Sequence, residues 1–272
     1  MPSQAIRPEI QDIATRFVQA RREGRALPGF PGSIPADLVA AYRCQDAAIG
    51  LWNERIVGWK VGYIAPERRD GSGDERLLGP IFADALWPAA EEGDVAFPVF
   101  VGGFAAVEAE YVFRLGADAP ADQEVWTPQE ASHLVAAMHI GVETAGSPLA
   151  TINELGPHVV VSDFGNNAGL ILGDAVDEWR ERMDLFTCST WIDGVCVGRG
   201  GAANLPGGPL AALAFALARS ARRGRPLRAG DLVTTGAATG IHDIVAGQGA
   251  RVVFDGIGEI GCQAVPKAVA AS

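Results

Sequence analysis

The sequence lacks the short motifs of the commonest catalytic classes. GxGxxG, GxxxxGK and GxSxG are all absent, so dinucleotide, P-loop and serine-hydrolase chemistry lack their entry points. The four histidines show neither HExxH nor any tight zinc spacing. Cysteine is scarce: Cys44, Cys188, Cys196 and Cys262 form no CxxC pair. A chain of 272 residues builds a core without disulfide staples, so free thiols in a reducing cytosol are expected. Basic charge is also short, with 22 Lys and Arg against 33 Asp and Glu and a net charge of −11. A nucleic-acid partner needs a basic face, and none is present. The densest basic stretch, residues 219–228, alternates with small residues and reads as the solvated end of a helix. No apolar run approaches the ~20 residues that span a bilayer. Residues 1–20 carry charges throughout with no apolar signal region, so a cytoplasmic protein is expected.

What is present has two textures. Residues 1–55 read as a helical N-terminal region. Apolar positions Ile10, Ile13, Phe17 and Ala20 recur at helical spacing, and residues 37–52 form a second helix after a Pro/Gly loop. Residues 56–272 read as a larger body of strands. Short apolar segments at 57–61, 77–82, 95–99, 106–115, 159–161 and 169–172 alternate with turns. Residues 130–144 read as a helix, opened by Thr127, Pro128 and Glu130 in a capping arrangement. Asp193-Gly194 marks a hairpin, and residues 209–222 form an Ala/Leu-rich helix. Strands do not alternate with helices as a doubly wound sheet requires.

The informative segment is Val107-Glu108-Ala109-Glu110-Tyr111. Side chains alternate along a strand, so Glu108 and Glu110 share one face. Two like charges on so apolar a strand raise one another's pKa unless a cation is present; a solvent-facing pair on an edge strand is the other reading. Glu143, in Ile140-Gly141-Val142-Glu143, has apolar neighbours where a surface Glu would have polar ones. It is read here either as a third ligand or as a helix-end Glu bonded to backbone. Three carboxylates without a nearby Cys would form a hard oxygen site suited to Mg²⁺ or Mn²⁺. His139, one helical turn before Glu143, is a ligand, a base or a satisfied helix-surface residue. Lys60 lies inside the apolar stretch Gly58-Trp59-Lys60-Val61-Gly62. It either holds a substrate carboxylate or relays a proton, or it extends its amine past Trp59 to solvent. Asp84, in Phe82-Ala83-Asp84, is either its partner or a turn residue.

These segments, in this order and spacing, resemble the 2-oxopent-4-enoate hydratase branch of the fumarylacetoacetate hydrolase superfamily over nearly the whole chain. Gly198-Arg199-Gly200, residues 226–231 and Thr235-Gly236 extend the resemblance. It implies an α+β fold: a mixed β-roll of the fumarylacetoacetate hydrolase C-terminal type with a small helical N-terminal part, assembled as a homo-oligomer. It implies Mg²⁺ or Mn²⁺ on Glu108, Glu110 and Glu143, and catalytic roles for Lys60 and Asp84. Its substrate-lining Asp-Asn-Ala-Ser-like stretch falls on Asp163 and Asn166, with Phe164-Gly165-Asn166-Asn167 departing from the pattern. A Ser-Arg expected after the third Glu is Ser147-Pro148 here. The implied partner is a small 2-oxo acid, with neither nucleic acid nor membrane. The implied reaction adds water to a 2-hydroxy-2,4-dienoate to give a 4-hydroxy-2-oxo acid in aromatic catabolism. The alternatives on the same scaffold are a 2-oxo-dicarboxylate (4-oxalocrotonate-type) decarboxylase and a C–C bond hydrolase.

Overall fold

The computed structural model describes residues 8–268. Two helices come first, α1 (Pro8–Glu23) and α2 (Leu38–Trp52). Asp37 caps α2 by accepting from the Ala40 amide, and Asn53 ends it in a left-handed conformation. Strands β1 (Ile56–Tyr63), β2 (Arg76–Phe82), β3 (Leu86–Pro88), β4 (Val95–Val99) and β5 (Phe104–Leu115) follow. Next are α3 (Pro128–Ser132), β6 (Val135–Ser147), α4 (Ile152–Leu155), α5 (Pro157–Ser162) and β7 (Asn167–Ala175). The chain continues with α6 (Trp179–Arg182), β8 (Thr187–Ile192), β9 (Val195–Gly201), α7 (Gly208–Arg222) and β10 (Leu232–Thr234). It closes with β11 (His242–Asp243), β12 (Gly249–Phe254) and β13 (Gly258–Pro266).

The strands form two mixed sheets. The larger runs β2-β1-β10-β5-β6-β7-β3, with β11 paired to β5; the smaller runs β4-β13-β12-β8-β9. Alternation on β5 decides what lies between them. Val107, Ala109, Tyr111 and Phe113 join the main core, and the Tyr111 ring packs edge-on against Phe254 of β12 with centroids 5.6 Å apart. Glu108, Glu110 and Val112 therefore face the other way. Helices α1 and α2 add Ala14, Val18, Leu38 and Tyr42 to the same core. Among the described residues, no helix is long and apolar enough to cross a membrane.

Helices α1, α2 and α7 match the periodicity read from the sequence. So does the β8–β9 hairpin, whose Asp193 and Gly194 take φ values of 47° and 78°. Two segments do not. The helix expected over 130–144 stops at Ser132, although its Thr127–Glu130 capping box is formed. From Val135 the chain is a strand, bonded to β5 on one side and β7 on the other. Its Ala, Met and Glu content favours a helix locally, but burial between two strands outweighs that propensity. The expected strand at 159–161 is helix α5, with Pro157 preset for a first turn; three apolar residues alone cannot distinguish the two.

One close approach shapes the site. Beyond α5, Phe164, Gly165 and Asn166 are left-handed, with φ of 53°, 65° and 62°. Their backbone crosses β2 at Gly79, which is paired with Lys60. A Cβ on Gly79 would lie 2.1 Å from the Phe164 carbonyl oxygen. Gly79→Ala is expected to destabilise the protein by about 1–3 kcal/mol, as overpacking does. Chemical denaturation measures this directly, and an unchanged midpoint would show that the turn can lift away.

Candidate metal centre and cavity

The antiparallel ladder places Glu108 directly opposite Glu143, and Glu110 opposite Gly141. Glu143 thus reaches the pair from the neighbouring strand rather than from a helix end. One carboxylate oxygen of each of the three lies within 4.8 Å of those of the others. Glu110 and Glu143 are fully buried and Glu108 nearly so. Lys60 of β1, also buried, places Nζ 3.1 Å from Glu143 Oε1. Strand β10 separates β1 from β5 only as far as Thr234. There the chain turns, and the amides of Thr235 and Gly236 donate to Glu110 Oε2 at 2.9 and 2.8 Å. Asn167 Nδ2 donates to Glu143 Oε1 at 3.2 Å.

Burial pushes the Glu108 carboxyl up to about 7; nearby Lys60 opposes this and Glu143 adds to it. Burial also raises Glu110 well above the ordinary range, and Glu143 and Glu108 add to the rise. For Lys60, burial pulls downward, but Glu143, Glu108 and Glu110 together outweigh it and hold the ammonium above its ordinary value. Three carboxylates and one ammonium leave two negative charges to be balanced. Glu108 Oε1, Glu110 Oε1 and Glu143 Oε2 are buried with no hydrogen-bond partner. Orphaned oxygens of this kind, gathered in one place and without sulfur or imidazole, fit a hard divalent cation.

The cluster opens onto a cavity of about 750 Å³, lined by Lys60, Glu108, Asn166, Asn153, Arg68 and Arg76 among others. Asn166 is 3% exposed, and its Oδ1 lacks a partner. Two residues expected at the site lie elsewhere. Asp84 is exposed and lines a separate, much smaller cavity with Arg21 and Lys267, so Glu143 and not Asp84 is the ion-pair partner of Lys60. Asp163 does not face the main cavity. Both its oxygens are used inside the protein, accepting from Arg21 Nε at 2.5 Å and Ser147 Oγ at 2.6 Å. His139 is apart from the carboxylates: its Nδ1 is 3.0 Å from the Gly173 carbonyl and its Nε2 accepts from Arg114.

Sequence reasoning missed several supporting groups. Arg21 of α1 donates to the carbonyls of Asn167 and Gly146 besides pairing with Asp163, and so ties β6 and β7 together just beyond Glu143. The only sequence signal for Arg21 was a basic residue near a helix end. Asn167 lay within the divergent stretch after Asp163, with nothing to separate it from Asn166.

No family model matches this chain. It is 28% identical over 260 residues to a 2-keto-4-pentenoate hydratase of Burkholderia vietnamiensis, covering 92% of this chain and 95% of the relative. It is 27% identical to 2-keto-4-pentenoate hydratase 1 of Dechloromonas aromatica, over 89% of this chain and 91% of the relative. Among solved structures, 4-oxalocrotonate decarboxylase from Pseudomonas putida G7, complexed with magnesium and adipate, superposes with a TM-score of 0.78. That match is 19% identical and covers 96% of this chain and 99% of the other. The chain has the fumarylacetoacetate hydrolase fold. A fumarylpyruvate hydrolase from Pseudomonas aeruginosa, complexed with Mn²⁺ and pyruvate, shares it at a TM-score of 0.57 and 21% identity, over 79% and 91% of the two chains.

Two outcomes follow from the carboxylate cluster. Without metal, Glu108 and Glu110 hold protons more tightly folded than unfolded. The stability this contributes is full below the ordinary Glu value of 4.5 and is lost as pH rises through about 7. The metal-free melting temperature is therefore expected to fall across that window. Added Mg²⁺ or Mn²⁺ is expected to restore it, more at pH 8 than at pH 6, because protons compete for the ligands. A melting temperature indifferent to both pH and metal would contradict the cluster's electrostatics. Separately, Asn167→Ala is expected to weaken Mn²⁺ affinity by about 10–100-fold in calorimetric titration, as loss of a ligand's hydrogen-bond partner does.

Proposed function

We propose that this protein is a metal-dependent hydratase that adds water to a 2-hydroxy-2,4-dienoate, giving a 4-hydroxy-2-oxo acid. The observation that carries this is the set of three partnerless carboxylate oxygens gathered beside Lys60 at one end of a cavity. The hydratases similar in sequence along nearly their whole length support it. Glu108, Glu110 and Glu143 would hold Mg²⁺ or Mn²⁺. When bound, the cation supplies Lewis-acid stabilisation of the negative charge that develops on the substrate's C2 oxygen.

The chain's own groups account for the rest. The dienol loses its hydroxyl proton and gains one at C5, leaving a double bond between C3 and C4 conjugated to the C2 carbonyl. Water then adds, with hydroxyl to C4 and hydrogen to C3. Lys60, kept protonated by its carboxylate neighbours, is the proton donor facing the cavity. The amide of Asn166, from another wall, holds the attacking water through its free Oδ1. The backbone amides on Glu110 and the Asn167 side chain keep the ligands oriented. This reading includes aromatic catabolism as the source of such dienols, a cytoplasmic location and a homo-oligomer.

Glu108→Gln and Glu110→Gln are each expected to abolish metal-dependent turnover of 2-hydroxypenta-2,4-dienoate. Lys60→Met should lower kcat by about 10²–10⁴-fold, the range for loss of a general acid, while the metal-induced rise in melting temperature persists. Full activity in both Glu variants would end the proposal. CO₂ release from a 2-oxo-dicarboxylate, with no hydrated product from the dienoate, would assign a decarboxylase instead.

A further inference from the structure

Behind the metal centre lies the second, smaller cavity. Its volume is about 90 Å³, which holds a few waters or one small ion. The turn at 164–167 divides it from the main cavity. Asn166 lines the main one, Phe164 and Asn167 line the smaller, and no lining residue is shared. The charged residues of the smaller lining are Arg21, Lys267 and Asp84. We propose that this cavity is a binding site for a small monoanion, of the size of a halide, formate or bicarbonate, held by the Lys267 ammonium and the uncommitted N–H of Arg21, and that its occupancy strengthens metal binding at the carboxylate trio. Only the coupling rests on the metal reading above; the anion site stands on its own residues.

The two cations differ in how they are compensated. Arg21 is paired with Asp163, and four of the five guanidinium N–H groups are taken, by Asp163 Oδ1 and by the carbonyls of Asp163, Asn167 and Gly146. One hydrogen on Nη1 remains. Lys267, just after β13, is held by its backbone amide, which donates to the Val99 carbonyl at 2.9 Å. Among the described residues its Nζ has no hydrogen-bond or ion-pair partner, and it lies 5.6 Å from the centroid of the Phe100 ring. Burial and the Arg21 guanidinium pull this ammonium below its ordinary value, and Asp84 opposes them without reversing the shift. Asp84 itself stands exposed, where water and salt screen it. Most of the remaining wall is aromatic: Trp52, Phe82, Trp87, Phe100 and Phe164. The Trp52 indole N–H is also buried without a partner. Such a wall keeps water from competing, so a charge-assisted hydrogen bond is stronger here than at the surface. One ammonium without a fixed counter-ion calls for a single negative charge, and the small volume calls for a compact one. Asn167 connects this cavity to the metal centre, because it lines the cavity while its Nδ2 holds Glu143 Oε1. Without metal, the carboxylates repel an anion placed behind them. A divalent cation removes that repulsion, so each ligand favours the other by the same factor.

The test titrates the full chain with sodium bromide and with sodium formate, against sodium gluconate, whose anion is too large for the cavity. Ionic strength is held constant and melting temperature is read. Wild type is expected to show a saturable rise in the millimolar range with bromide or formate and none with gluconate. Lys267→Met should weaken the anion by about 10-fold or more, the loss of one charge-assisted hydrogen bond. Asp84→Asn, at an exposed position, removes the acid of the lining and should tighten the anion a few-fold. Saturating magnesium gluconate should lower the wild-type midpoint by about 5-fold or more. In a crystal soaked in bromide, anomalous scattering should place the ion beside Lys267 Nζ. A response to bromide alone or to formate alone supports the site and names its ion. A rise shared by gluconate, or a midpoint indifferent to both variants, overturns the site. Bromide in this cavity at molar concentration only means an adventitious ion only and overturns it as well. A midpoint unmoved by Mg²⁺ overturns the coupling. Bromide binding in a protein that takes up no Mg²⁺ supports the site while the metal reading fails.

Discussion

Everything at this site follows from forcing three carboxylates together inside a β-ladder. Glu108 and Glu143 are cross-strand partners, and a like-charged pair in that relation is destabilising. Glu110, two residues on, shares the face of Glu108. The ladder leaves these backbones no freedom to separate, so the repulsion has to be met by other groups. The structure supplies them from three directions: an ammonium from β1, two backbone amides from the turn after β10, and a side-chain amide from the start of β7. What they do not satisfy, one oxygen on each carboxylate, is what a divalent cation would coordinate.

The same constraint explains why supporting residues come from so far away in the chain. A cluster of this charge tolerates little looseness in the elements that carry it. Arg21 on the first helix binds the backbone of β6 and β7 beyond Glu143 and is itself neutralised by Asp163, whose second oxygen accepts from Ser147. The Arg21 guanidinium also lies over the Phe164 ring at 5.0 Å, in the left-handed turn that delivers Asn166 to the cavity. The N-terminal helices are thus physically continuous with the site, through the Arg21 ion pair and backbone hydrogen bonds and through the contacts of Arg21 and Trp52 with Phe164.

Legibility in the sequence tracked how local each signal was. Alternation on an apolar strand placed Glu108 and Glu110 on one face, because that inference needs only the period of a strand. Glu143 stood out by its apolar neighbours, yet its element was misread, since the helical propensity of Ala, Met and Glu is a local quantity and strand pairing is not. Lys60 was conspicuous as a charge in an apolar stretch. Asp84 was readable only as a partner of Lys60 or a turn residue and Asp163 rested on resemblance; the fold sends the first to a different cavity and uses the second to neutralise Arg21. Arg68 and Arg76 gave no sequence signal, Arg21 only that of a basic residue near a helix end, and Asn167 only its place in the divergent stretch after Asp163. An Arg near a helix end or in a polar loop looks like any solvated residue until the fold brings its partner or its cavity to it.

The division between rigid and variable parts also bears on how one scaffold hosts several reactions. A 4-oxalocrotonate decarboxylase complexed with magnesium and a fumarylpyruvate hydrolase complexed with manganese share this fold, so the fold by itself does not select the chemistry. In this protein the carboxylates sit on long, paired, buried strands, where a substitution disturbs two neighbours at once. Arg68, Asn153 and Asn166 sit instead on a loop, a single helical turn and a left-handed turn, where side chains can change with little effect on the ladder. On the proposed function, activation of a 2-oxo acid belongs to the sheet, and the choice of which 2-oxo acid, and where water approaches it, belongs to the three short segments that wall the cavity.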